Sequence, residues 1–171
     1  MRKPRCIAAV MALLLAVTAS GCSQQEGDTL TPEARTTLYQ AAIEGARPQE
    51  ENDAFDILTG PEDDFADVIF SMLGVVPEDM TAYAISVSPA NIQAYGIAII
   101  YPAKGREDTV YSGLSNFVTR QKQSFERYLA DQYEIASNAK METLEDGTLV
   151  LVMCNGQDAI FDAIKASIET P

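Results

Sequence analysis

The chain has 171 residues, with 12 Lys+Arg against 25 Asp+Glu, no histidine and a formal charge of −13 at pH 7. That balance disfavours binding to a nucleic-acid backbone, which is built from Lys and Arg clusters, and a polybasic hold on anionic lipid. The missing histidine excludes His-dependent triads and His-ligated zinc, leaving general acid–base work to carboxylates, Lys or Tyr.

In chain order, Arg2, Lys3 and Arg5 precede an apolar run from Cys6 to Val17, followed by Thr18-Ala19-Ser20-Gly21-Cys22. A cationic start, an apolar core of about 7–15 residues and small residues at a cut are the parts of a secretory signal. The core is too short for a spanning helix, which takes about 20 residues. Ser20-Gly21-Cys22 resembles the lipobox of bacterial lipoproteins, with Ala19 standing where that motif most often carries Leu. The resemblance implies a signal peptide over 1–21, cleavage after Gly21 and a diacylglycerol thioether on Cys22. The mature protein is then expected on the outer face of the cytoplasmic membrane, its membrane partner reached through lipid on Cys22. Loss of Arg2, Lys3 and Arg5 leaves nine basic residues against 25 acidic ones, so acyl chains must supply the anchor. Cys6 leaves with the signal and Cys22 is acylated, so Cys154 stands alone and no intramolecular disulfide is expected.

Residues 23–30 are polar and read as a tether. Thr31-Pro32-Glu33 is a helix start, with a hydroxyl at N-cap, Pro at N1 and an acid in the first turn. The helix is expected to run to about Glu44 with Ala34, Leu38 and Ala41/Ala42 as a thin apolar stripe. Charged residues and Pro48 make Arg47 to Asp53 an expected mobile loop. Glu62, Asp63 and Asp64 suit a first helical turn. Phe65, Val68, Ile69, Met72 and Leu73 then follow at core-facing spacing, with Gly74 as a natural end. These acids lack calcium-loop spacing and read as a solvated helix start.

Thr81 to Ser88 alternates Tyr83, Ile85 and Val87 as a half-buried strand, and Tyr95 to Tyr101 is a more continuously apolar one. A long helix is expected from Asp108 to Leu129, facing inward through Val110, Leu114, Phe117, Val118, Gln121, Phe125, Tyr128 and Leu129. The axis breaks near Ala130–Tyr133. Ala139 to Thr143 and Thr148 to Cys154 are strands joined at Glu145-Asp146-Gly147, where Gly supplies positive φ. A last helix from Gln157 to about Ile168 buries Ile160, Phe161, Ile164 and Ile168.

Each half reads strand, strand, helix. The expectation is an α+β two-layer sandwich: a four-stranded, mainly antiparallel sheet with both helices of a β-β-α repeat on one face, preceded by N-terminal helices, its other face either solvated or covered by the helix of Pro61 to Leu73. The chain then divides into a signal peptide (1–21), a tether with one helix and a loop (22–58) and the α+β domain (59–171).

The run Gln121-Lys-Gln-Ser-Phe-Glu-Arg-Tyr-Leu-Ala-Asp-Gln-Tyr133, with the strand before it and the Gly147 hairpin after it, resembles an uncharacterised family of Gram-positive bacterial lipoproteins that carry a domain of unknown function. Ala130 stands where such proteins often have Pro. The resemblance covers about the last hundred residues and implies localisation and fold. It brings no activity, cofactor or catalytic residue.

Gln121, Ser124, Tyr128, Gln132 and Tyr133 are the most suggestive polar set, the first three sharing one helical face at i, i+3 and i+7. They are either a recognition surface or core tyrosines with polar groups satisfying the helix break. Cys154, at the end of an apolar strand with no histidine to activate it, reads as a packed hydrophobe. There is no catalytic, metal, cofactor or nucleic-acid motif. The expected function is a lipid-anchored extracytoplasmic binding module, with an envelope protein or a small ligand as partner. The alternative is a His-independent hydrolase, marked by a carboxylate of raised pKa in a concave pocket.

Overall fold

A computed structural model describes residues 30–90 and 92–170; Cys22 and the signal-like segment lie outside the described residues. The elements are α1 (Pro32–Ala46), α2 (Gln49–Ala54), α3 (Ala66–Leu73), a one-turn 3-10 helix (Pro77–Asp79), β1 (Met80–Val87), β2 (Gly96–Pro102), α4 (Glu107–Phe125), α5 (Ala130–Ser137), β3 (Lys140–Thr143), β4 (Leu149–Met153) and α6 (Gln157–Glu169). The strands form one sheet in the order β1-β2-β4-β3, every neighbouring pair antiparallel. The α+β class, the antiparallel four-stranded sheet and the N-terminal helices agree with the sequence reading.

The layers differ from expectation. Tyr83, Ile85, Ala98, Ile100, Leu149 and Leu151 point to one face, where they pack with α3, α4 and α5. Ala82, Ala84, Ile97, Ile99, Val150 and Val152 point to the other, where they pack with α1 and α6. The helices therefore cover both faces, and α4 and α6 are not side by side. The cause lies in the strands: β2 and β4 are apolar on both faces, and each face requires cover. A two-fold axis through the sheet would keep both helices of a repeat on one side. The likeness of the two halves is thus local and does not extend to their packing. β1, expected to be half-buried, is covered on both faces except at Thr81.

Several local expectations are also corrected. Thr31 caps α1 as expected, its hydroxyl accepting from the Ala34 N–H at 3.2 Å, but the buried face is Arg35, Tyr39, Ala42 and Ile43, leaving Ala34 and Ala41 exposed. The face is rotated because Arg35 finds polar partners inside, Tyr39, Asp146 and Thr148. Residues 47–53, expected as a loop, are helical from Gln49. α3 starts at Ala66, later than expected, because the Asp63 carboxylate accepts from the N–H groups of Thr59 (2.7 Å) and Gly60 (3.0 Å) and holds a turn there. Phe65 then enters the helix at φ 64°, and Phe65 and Val68 face solvent in place of Ala66 and Phe70. α4 ends at Phe125, short of Leu129, which leaves Tyr128 86% exposed.

The ends of the sheet matter for function. α1 begins beside the β3–β4 turn, where Arg35 meets Asp146, and ends beside the last residues of β1 and the first of β2, where Arg47 meets Ser86 and Tyr95.

Candidate functional site

The polar groups that converge do so at the end of the sheet where β1 and β4 finish and β2 begins. Arg47, the residue after α1, is 5% exposed. Its Nε donates to Asn52 Oδ1 (2.6 Å), Nη1 to Ser86 Oγ and Tyr95 Oη (both 2.8 Å), and Nη2 to the Phe55 carbonyl (2.7 Å). Pro48 starts α2 by supplying a fixed φ, and α2 carries Asn52 back over the guanidinium, where its Nδ2 also donates to the Glu44 carbonyl. Phe55 stacks on Tyr95, the ring centroids 3.8 Å apart and the planes 13° from parallel. Every hydrogen-bond partner of the Arg47 guanidinium is neutral: two hydroxyls, an amide and a carbonyl.

Glu51, on the same short helix, is half-buried, and its Oε2 is closed off with no partner among the described residues. Burial pushes its carboxyl up; the Arg47 charge and the Tyr95 hydroxyl oppose this without cancelling it. Burial likewise raises Tyr95. The Cys154 thiol, also within reach of these charges, is pushed up to about 12, chiefly by burial and then by Glu51. A thiol this far above neutrality is no nucleophile.

Two open clefts flank this cluster. One, of about 590 Å³, has Arg47 among its walls with Gln40, Glu44, Gly45, Gln49 and Asp56. The other, of about 500 Å³, is walled by Glu51, Ile92, Tyr95, Asp131, Gln132 and Asn155. Hydrogen bonds from Gln132 hold Asp131 below its ordinary value. Among the described residues no group of three or more Cys, Asp or Glu side chains is placed to hold a metal ion.

The five residues singled out from the sequence are not one surface. Gln121 is buried inside α4, while Ser124 is exposed and donates to the Arg120 carbonyl of its own helix at 2.9 Å. Tyr128 projects into solvent, and Tyr133 walls a small groove with Thr119, Lys122, Gln123 and Glu126. Gln132 alone belongs to the convergent end: its Oε1 accepts from the Ala94 N–H at 2.8 Å and fixes the chain entering β2. The residues that sequence reasoning missed are Arg47, Glu51, Ser86 and Tyr95. Ser86 and Tyr95 do carry a signal: each ends an alternating row of apolar residues on the strand face that α1 covers.

Residues 57–154 match a protein family described as a domain of unknown function (DUF4358). That span is more than half of the chain, and the protein belongs to this family. No curated protein and no solved structure matches it. The match covers all four strands with α3, α4 and α5, whereas α1, α2 and α6, which build one wall of the Arg47 cleft and cover one sheet face, lie outside it.

Proposed function

We propose that the protein is a lipid-anchored binding module of a Gram-positive cell envelope, held on the outer face of the cytoplasmic membrane through Cys22 and taking a small ligand at the end of the sheet remote from that anchor. The observation that carries the binding reading is Arg47, a permanent charge at the wall of an open cleft whose hydrogen-bond partners are all neutral. The placement of α1 supports the orientation. Its fifteen residues rise about 22 Å, with the tether entering at Pro32 and the Arg47 cleft lying against its last two turns. Nine residues, 23–31, link Cys22 to Pro32 and reach at most about 32 Å, so the lipid would attach at the end of α1 away from Arg47. Among the described residues no helix is long and apolar enough to cross a membrane.

Two measurements test this reading. The intact mass of protein extracted from membranes should begin at Cys22 and carry a diacylglycerol increment; an unmodified or freely secreted species refutes the anchor. A low-molecular-weight extract of the envelope should raise the melting temperature of the protein, and absence of any shift refutes the small-ligand reading in favour of a protein partner captured by crosslinking. One observation favours a second reading, a His-independent hydrolase: Glu51 is pushed up and Asp131 down while both wall the same cleft. That reading requires a turnover abolished by Glu51→Gln.

A further inference from the structure

The charge pattern of the Arg47 cleft defines a ligand class, an inference that rests on the small-ligand reading above. Arg47 has five N–H donors in a planar fork and cannot shed its proton. Its hydrogen bonds engage four of them, leaving one on Nη2. A buried guanidinium is ordinarily paired with a carboxylate, as Arg35 is with Asp146 at 2.8 Å at the other end of the same helix. Arg47 hydrogen-bonds hydroxyls, an amide and a carbonyl instead, and the half-buried Glu51 carboxylate acts on it without a direct bond. The acids of the cleft, Glu44 and Asp56, are both exposed and stand at its rim.

A lone anion would meet these two carboxylates and a chain of charge −13. A lone cation would leave the buried guanidinium unused. The complement of a cationic wall with an acidic rim is a small zwitterion. We propose that this cleft binds an amino-acid-type ligand, its carboxylate directed to the free N–H of Arg47 and its ammonium to Glu44 and Asp56. The Gln40 amide already donates to Glu44 Oε1 at 2.9 Å and the Gln49 amide to Asp53 Oδ1 at 2.8 Å, which leaves their carbonyl oxygens for the polar atoms between.

Gly45 makes the inference testable without disturbing the arginine. It lies in α1 on the wall of the cleft, and a Cβ built there meets nothing within 4 Å. Gly45→Leu therefore fills the cleft while favouring the helix. The purified protein is titrated with glycine and glycylglycine, and separately with acetate and methylamine as the two half-ligands, following melting temperature and heat of binding. The expected result is a shift with the zwitterions that neither half-ligand reproduces, at least tenfold weaker in Gly45→Leu and in Arg47→Lys, which keeps the charge but not the fork. A parent protein indifferent to both zwitterions, or a Gly45→Leu variant that binds them as well as the parent, overturns the assignment. If the envelope extract shifts the parent and Gly45→Leu abolishes that shift while the zwitterions do nothing, the cleft stands as a site and the ligand class falls. If extract and zwitterions both fail, the small-ligand reading falls with it.

Discussion

Replacing Asp146 probes the other buried arginine. Its carboxylate accepts from Arg35 Nη1 (2.8 Å), the Thr148 N–H (2.9 Å) and the Thr148 hydroxyl (2.8 Å). Arg35 is 3% exposed, bonds Tyr39 Oη at 2.7 Å and lies 3.9 Å above the Tyr101 ring. Asp146→Ala leaves a buried guanidinium without this carboxylate and a buried threonine without its acceptor. Breaking a fully buried pair costs about 3–5 kcal/mol. Asp146 is 37% exposed, so water replaces part of what is lost, and Arg35 keeps its tyrosine partners. The expected cost is therefore roughly 2–3 kcal/mol, a fall of about 4–12 °C in melting temperature for a chain of this size.

The pH dependence has a definite sign. Burial alone would raise the Asp146 carboxyl, but the bonds from Arg35 and Thr148 outweigh it and hold it below its ordinary value of 3.8. A depressed folded-state value stabilises the protein above the unfolded value, and that stability is lost as pH falls through the folded one. The parent should lose stability progressively below about pH 4, and Asp146→Asn should remove this component while retaining an acceptor for Thr148. Thermal melts of the parent, Asp146→Ala and Asp146→Asn at pH 7 and between pH 3 and 4 decide it. A melting temperature for Asp146→Ala within about 1 °C of the parent, or an unchanged acid limb in Asp146→Asn, refutes the reasoning.

Other substitutions test the packing. A Cβ at Gly113 would lie 2.6 Å from the Leu73 carbonyl oxygen and 3.1 Å from that of Gly74, so Gly113→Ala must push α3 off α4, with an expected loss of about 1–3 kcal/mol in denaturant melts. Phe65 holds φ 64° with its ring 69% exposed, so Phe65→Asn, which tolerates that conformation, should raise stability by up to about 1 kcal/mol. Cys154, buried with its thiol raised to about 12, should resist iodoacetamide in the native protein and react only after unfolding. Rapid native labelling would place it near the surface.

The fold was largely legible because each strand and helix announces itself by its period. Tyr95–Tyr101 and Thr148–Cys154 read as buried strands, and the spacing of Ile160, Phe161, Ile164 and Ile168 gave the buried face of α6. The layer count differs from expectation although the strands carry the information. Two strands without a polar face cannot belong to a sheet covered on one side only. The helix starts were harder. A side-chain cap such as Thr31 can be read locally, whereas the delayed start of α3 depends on Asp63 bonding backward to Thr59 and Gly60.

The site was hidden for a different reason: patterning assigns arginine to the solvent face, and here Arg35 of α1 and Arg47 just past its end both face the sheet. Arg35, Tyr39, Ile43 and Arg47 recur every four residues, an inward stripe with a charge at each end. The sheet face beneath it repeats the arrangement. Its rows of Ala82 and Ala84, of Ile97 and Ile99, and of Val150 and Val152 are apolar at the centre, while Ser86, Tyr95, Tyr101 and Thr148 place polar or aromatic groups at their ends. Matching the two patterns sets the register of α1 on the sheet, since a shift of one turn would carry a guanidinium over the apolar centre. At one end the match is completed by the carboxylate of Asp146 and serves the fold. At the other it is met by neutral groups beside an open cleft, and that asymmetry between two otherwise similar arginines is what separates the candidate site from a structural clamp.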